Sequence, residues 1–221
     1  MPLLDGTQWR RFVLDANDGI VATAGLVEGL IGAGASSGST RVAAAAALIA
    51  GSLALGGARF SEEAVESDVQ KELIEEERRQ LALSPEEELA ELAELYRAKG
   101  LSPELAQQVA NELTERDALD AHVSTEYGIS LDRPSQPSKA AVAAAIGFGV
   151  GSVIVLLMVV AMPRRSVGIS TALAVVLSLS GTSFLAARLG GVPVARTVLR
   201  TVGIGVIAML ITFAVGTLFV P

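Results

Sequence analysis

The chain has 221 residues, with 24 acidic against 17 basic side chains, one histidine, no cysteine and a formal net charge of −7. The absence of cysteine excludes disulfides, thiolate metal ligands and cysteine nucleophiles, and a single histidine excludes a multi-histidine zinc or iron site within one chain. The acidic balance repels nucleic acid and attracts cations.

Met1–Phe12 is charged and polar and carries no pattern of a cleaved signal peptide. Asp15 and Asp18 follow, with Asn17 and Gly19 beside them, at the mouth of a Gly/Ala-rich apolar stretch. Asp15 is expected in the headgroup region as an N-terminal helix charge, where the helix dipole favours an acid. Asp18 lies deeper and is the stronger candidate for metal ligation or proton coupling, because an ionisable group at a membrane segment is costly unless it pairs, faces water or binds an ion. Glu28 stands about 15 Å further along a regular helix, rotated by about 80 degrees from Asp18. It reads either as a protonated acid held at a helix interface or as a second stage for a cation or proton.

Gly19–Val27 and Gly29–Thr40 form one weakly apolar span around Glu28, and Val42–Ala58 supplies 17 uncharged, mostly small residues for a second. Small residues let helix backbones approach closely in lipid. Further on, residues 140–163, 166–187 and 201–221 are uncharged runs of 24, 22 and 21 residues, each enough for a helix across roughly 30 Å of hydrocarbon. Five transmembrane helices are therefore expected. With the N-terminus and the insert in the cytoplasm, Arg10, Arg11, Arg59, Lys139, Arg188, Arg196 and Arg200 lie inside against Arg41, Arg164 and Arg165 outside, as the positive-inside bias favours. Ser52, Ser178, Ser180, Thr182 and Ser183 offer oxygen donors, and helix–helix hydrogen bonding accounts for them equally well.

Between Glu62 and Arg133 there are 20 acidic and 7 basic residues. The second span is expected to run on as a helix from Ser61 to about Leu83. Ser84-Pro85-Glu86-Glu87 then starts a helix that Lys99-Gly100 ends, and Ser102-Pro103-Glu104 starts another. Leu89, Leu92, Ala93, Leu95 and Tyr96 supply one apolar stripe, and Leu105, Val109, Leu113 and Leu119 the next. The division expected is 1–60 for the first two spans, 61–133 for a cytoplasmic metal-binding module of three helices, and 134–221 for the last three spans. Glutamates at three- and four-residue spacing, Glu62/Glu66, Glu72/Glu75/Glu76, Glu88/Glu91 and Glu91/Glu94, share helix faces and repel unless a cation neutralises them. The same spacing fits a solvated Glu-rich face. His122 and Glu126 form an i,i+4 pair suited to ferrous iron, manganese or zinc, or His122 merely caps or packs.

Asp15-Ala-Asn-Asp18-Gly-Ile-Val-Ala-Thr, the segment Ala50-Gly-Ser-Leu-Ala-Leu-Gly-Gly-Ala-Arg-Phe-Ser61 and the order of two spans, acidic module and three spans resemble the vacuolar iron transporter family. The chain is identified as a bacterial member of that family. The resemblance implies a homodimer in the lipid bilayer, with a central pore lined by Asp18, by a methionine where this chain has Leu55, and by a glutamate where it has Ala47. It also implies module ligands at Glu88, Glu91 and Glu126, with His122 and Val123 at a methionine pair and the first helix contributing from among Glu66, Glu72, Glu75, Glu76 and Glu77. The candidate metal residues are Asp18, Glu28, Glu66, Glu72, Glu75, Glu76, Glu88, Glu91, His122 and Glu126. The implied activity is movement of divalent iron or manganese out of the cytoplasm, coupled to protons, across a bacterial inner (plasma) membrane that the chain crosses several times. No tightly bound cofactor and no enzymatic reaction are expected. The rival readings are a metal-binding scaffold or sensor without transport, and a membrane-tethered ferroxidase. The latter lacks its Glu-x-x-His pairing, since Leu119 precedes His122 by three.

Overall fold

The computed structural model describes residues 6–132, 134–163 and 165–218. Arg133, Arg164, Met1–Asp5 and the last three positions of the final apolar run lie outside the described residues, and so do the expectations placed on them. The described residues form α1 (Gly6–Gly32), α2 (Ser37–Leu83), α3 (Pro85–Ala98), α4 (Pro103–Glu126), α5 (Pro137–Ala161), α6 (Val167–Gly190) and α7 (Val194–Leu218). The protein is all-α.

Among the described residues four helices, α2, α5, α6 and α7, are long and apolar enough to cross a membrane. This corrects the expected five. Every 18-residue stretch of α1 carries at least three of Arg10, Arg11, Asp15, Asp18 and Glu28, so length and hydropathy alone do not mark it as a span.

The chain divides into two compact units, Met1–Phe60 with Ser138–Pro221, and Ser61–Pro137. In the first, α1 is the centre of the packing: Ile20, Ala24 and Val27 are fully buried with Val155, Val175, Leu179 and Met209 of the surrounding helices. Glycines set the approach. A Cβ on Gly19 would overlap the Phe148 carbonyl, one on Gly151 the Ala16 carbonyl, and one on Gly216 the Gly29 carbonyl, so backbone lies against backbone where any side chain would hold the helices apart. Hydroxyls add cross-links inside this core: Thr23 donates to Ser152 Oγ at 2.9 Å, and Ser152 donates to the Gly19 carbonyl at 3.2 Å. Thr182 of α6 bonds both the Asn17 side chain and its own helix backbone. Gly34, at φ +68°, closes α1 while the Ala35 amide returns to the Leu30 carbonyl, and the Ser36 hydroxyl accepts from the Ser39 amide to start α2.

In the second unit α3 and α4 pack through Leu92, Ala93, Ala110 and Ala121, with Leu89, Tyr96 and Leu113 partly covered against them. Of the expected stripe on α4, Val109, Leu113 and Leu119 are half-buried and only Leu105 turns outward. Leu105 is exposed while Ala106 and Ala110 are buried, because a close helix pair takes the small side chains at its seam. Ser102 caps α4 by accepting from the Leu105 amide at 3.3 Å, whereas Ser84 makes no side-chain cap on α3.

Candidate metal centre

The site in the second unit begins with a helix break. Asp117 within α4 has extended backbone angles, φ −164° and ψ 97°, and its Oδ1 accepts from the Asp120 amide at 3.0 Å. Asp117 thereby acts as the N-cap of a short helical segment, which buries Ala121, His122 and Val123.

His122 is fully buried and Glu77 is 1% exposed, with the imidazole Nδ1 3.0 Å from Glu77 Oε1 and 3.7 Å from Glu88 Oε2. Despite that proximity, neither imidazole nitrogen nor Glu77 Oε1 has a hydrogen bond of acceptable geometry. Buried polar atoms left in this way are rare and call for an explanation. Glu126, exposed, completes a group in which Glu77, His122 and Glu126 each bring one ligand atom to within 4.8 Å of the others. Several donors converging on one point without hydrogen-bonding one another is the arrangement a cation needs.

The electrostatics agree. Burial, then Glu88, Glu126, Glu91 and Glu76, pushes the Glu77 carboxyl up from 4.5 to about 7. Burial and the neighbouring Glu91 and Glu126 raise Glu88 as well. Burial lowers the His122 imidazole below its ordinary value, against a partial upward pull from Glu126 and Glu91. The centre thus offers an imidazole whose burial disfavours its protonated form, and carboxyls crowded by like charge, which a divalent ion relieves. One nitrogen with several carboxylate oxygens suits manganese, ferrous iron or zinc better than calcium or magnesium.

Of the other candidates in this unit, Glu66 accepts from Gln70 at 3.0 Å, while Glu75 and Glu76 are paired with Arg78 and Arg79. Glu72 and Glu91 are exposed. Glu77, one of five first-helix possibilities but absent from the candidate set, is the buried one. Its signal is helical phase: it follows Leu73 by four and Ile74 by three and precedes Leu81 by four, so it shares their half-buried stripe.

In the first unit Asp15 is not the expected N-terminal helix charge. It is the tenth residue of α1, 3% exposed, and holds Arg59 of α2 at 3.3 Å. A buried acid requires such a partner, and the arginine at the foot of the small-residue segment supplies it. Asp18 is exposed, on a stripe with Leu14, Ala22 and Leu26 at i,i+4 spacing. Glu28 turns the other way, to the buried side of α1, with its Oε2 facing Gly168 of α6. The structure does not bring Asp18 and Glu28 together.

The profile of the VIT family matches residues 9–217. A vacuolar iron transporter of Acanthamoeba castellanii is 36% identical over 215 residues, covering 95% of this chain and 77% of that protein. Vacuolar iron transporter 1 of Arabidopsis thaliana is 28% identical over 157 residues, covering 70% of this chain and 63% of the plant protein. A vacuolar iron transporter of Centaurea cyanus is 26% identical over 212 residues, covering 94% and 86%. The expectation of a bacterial member in an inner (plasma) membrane is corrected by these matches, which are to eukaryotic vacuolar proteins. Apolar length and arginine asymmetry are common to spans of all such membranes and do not distinguish them.

Proposed function

The chain belongs to the VIT family, and from that premise we propose that it moves ferrous iron or manganese out of the cytoplasm in exchange for protons, as a homodimer. It is a membrane metal transporter and not an enzyme. The observation that carries the choice of ion is the buried Glu77–His122–Glu88 constellation with its unbonded donor atoms. Carboxylates replace part of the hydration shell, and the imidazole favours borderline over hard divalent ions. The module concentrates the ion, and Asp18 supplies the membrane step.

Asp18 supports the two-chain pore. A carboxylate exposed on a helix among Leu14, Ala22 and Leu26 is untenable against lipid tails, whereas the same stripe facing its counterpart in a second copy encloses a polar path. α1 then lies alongside the membrane-crossing helices. It runs beside α6 from Arg10 near Gly190, through Asn17 at Thr182, to Glu28 at Gly168, which gives it the reach of its neighbours.

The test is uptake of manganese or ferrous iron into sealed proteoliposomes by the intact protein and by Asp18→Asn. Uptake above that of empty vesicles, abolished by the substitution, is the expected result. Saturable binding without any movement of metal refutes transport and leaves a scaffold or sensor.

A further inference from the structure

Glu28 is 8% exposed near the C-terminal end of α1, beside the start of α6, and its Oε1 has no hydrogen-bond partner. It borders a recess of about 150 Å³ whose other walls are Ala172 and Val176 of α6 and Val206, Met209, Leu210 and Phe213 of α7. No ion pair reaches it among the described residues. The charged residues of the helices around it stand apart in sequence: Arg188 near the far end of α6, Arg196 and Arg200 early in α7, Lys139 at the start of α5, and Arg10, Arg11, Asp15 and Asp18 at least ten positions back on α1. Arg165, just ahead of α6, is exposed.

This donor set decides what Glu28 can bind. A divalent ion requires about four to six oxygen or nitrogen ligands, and one carboxyl among aliphatic walls and a thioether falls far short. Sodium or potassium meets the same deficit. A proton needs a single carboxyl oxygen, and burial without a cationic partner favours the neutral acid.

We infer that Glu28 is the proton-binding site that couples α1 to metal movement, a role distinct from metal ligation. As the neutral acid, Glu28 sits in the apolar recess and α1 keeps its packing on α6 and α7. Loss of the proton leaves a bare charge there, which must be rehydrated or moved, and α1 is the element that moves with it. Asp18 is on the same helix, about 15 Å away. Metal occupancy at Asp18 and proton occupancy at Glu28 therefore act on one element, and by linkage each alters the other's affinity. The inference rests on the transport reading and adds to it the residue through which protons enter.

Glu28→Gln, which keeps the shape of the neutral acid, is compared with the wild type in proteoliposomes taking up manganese with and without an acid-inside pH gradient. The wild type is expected to be stimulated several-fold by the gradient, whereas the variant's rate with the gradient equals its own rate without it. Glu28→Asp, which retains a titrating group, is expected to keep part of the stimulation and serves if the glutamine variant is not recovered folded. Independently of transport, dicyclohexylcarbodiimide, which modifies protonated carboxyls in apolar surroundings, is expected to label the wild-type peptide bearing Glu28 at neutral pH and less so with manganese bound. Full stimulation in Glu28→Gln, or an unlabelled Glu28, overturns the inference while leaving transport intact. A wild type that moves no manganese overturns the transport reading, and the coupling role with it.

Discussion

Glu77→Gln isolates the most heavily perturbed acid of the candidate metal centre. Glu77 holds its proton up to about 7 because burial and four neighbouring glutamates penalise its charge. The sign follows from the direction of that shift. Below pH 4.5 the acid is protonated in both folded and unfolded chains; between 4.5 and about 7 the unfolded chain releases a proton that the folded one keeps. Folding without metal therefore loses stability as pH rises across that window, by about 3 kcal/mol in all at 1.36 kcal/mol per unit.

A divalent ion needs the ionised form and so displaces this proton. Near pH 6 binding should release about one proton per ion from Glu77, near pH 8 almost none, and apparent affinity should rise about tenfold between the two. Burial lowers the His122 imidazole below its ordinary value, so it carries less of the proton release than a solvated histidine would. Calorimetric titration of the full chain in detergent with manganese, in buffers of different ionisation heat, reads affinity and proton release together. Glu77→Gln mimics the protonated acid, and its residual binding should have lost most of the pH slope. A wild-type affinity that is flat from pH 6 to 8 with no proton released, or an unchanged slope in the variant, refutes the assignment of Glu77 as the titrating ligand.

Two further substitutions test how the fold positions its sites. Asp117→Ala removes the acceptor for the Asp120 amide and should cost about 1 kcal/mol with weakened manganese binding, while Asp117→Asn keeps both near wild type. Chemical denaturation and the same titration read the two effects. Gly151→Val forces a side chain into the Ala16 carbonyl and should lower the thermal midpoint in detergent through a loss of about 3 kcal/mol. A midpoint equal to the wild type would refute the backbone-to-backbone packing of α1 on α5.

The helices of the second unit were legible because their boundaries are written locally, in Ser84-Pro85, Lys99-Gly100 and Ser102-Pro103. Its centre was legible in part. His122 and Glu126 stand out by type and spacing, whereas Glu77 hides in an acidic run whose charges look alike. What separates Glu77 from Glu75 and Glu76 is angle, since the half-buried positions Leu73, Ile74 and Leu81 fix the helical phase and leave the other two outside with Arg78 and Arg79. The break at Asp117 had no such signal. Aspartate occurs on exposed helix faces as well as at caps, and only the packing of His122 against Glu77 decides between them.

α1 presents the opposite case. The three apolar runs of the C-terminal part are marked by composition, yet the helix around which they pack carries too much charge to resemble them. Each of those charges answers to a different surrounding. Asp15 is buried and paired with Arg59, Asp18 lies on the open i,i+4 stripe, and Glu28 faces a recess with no base beside it among the described residues. Three acids at three helical angles meet three different surroundings, and under the proposed transport reading they become an ion pair, an ion path and a proton site on separate faces of α1. Local rules fail where function imposes its own requirements, and the features that keep α1 from reading as an ordinary span are the ones a helix needs if two kinds of ion are to act on it.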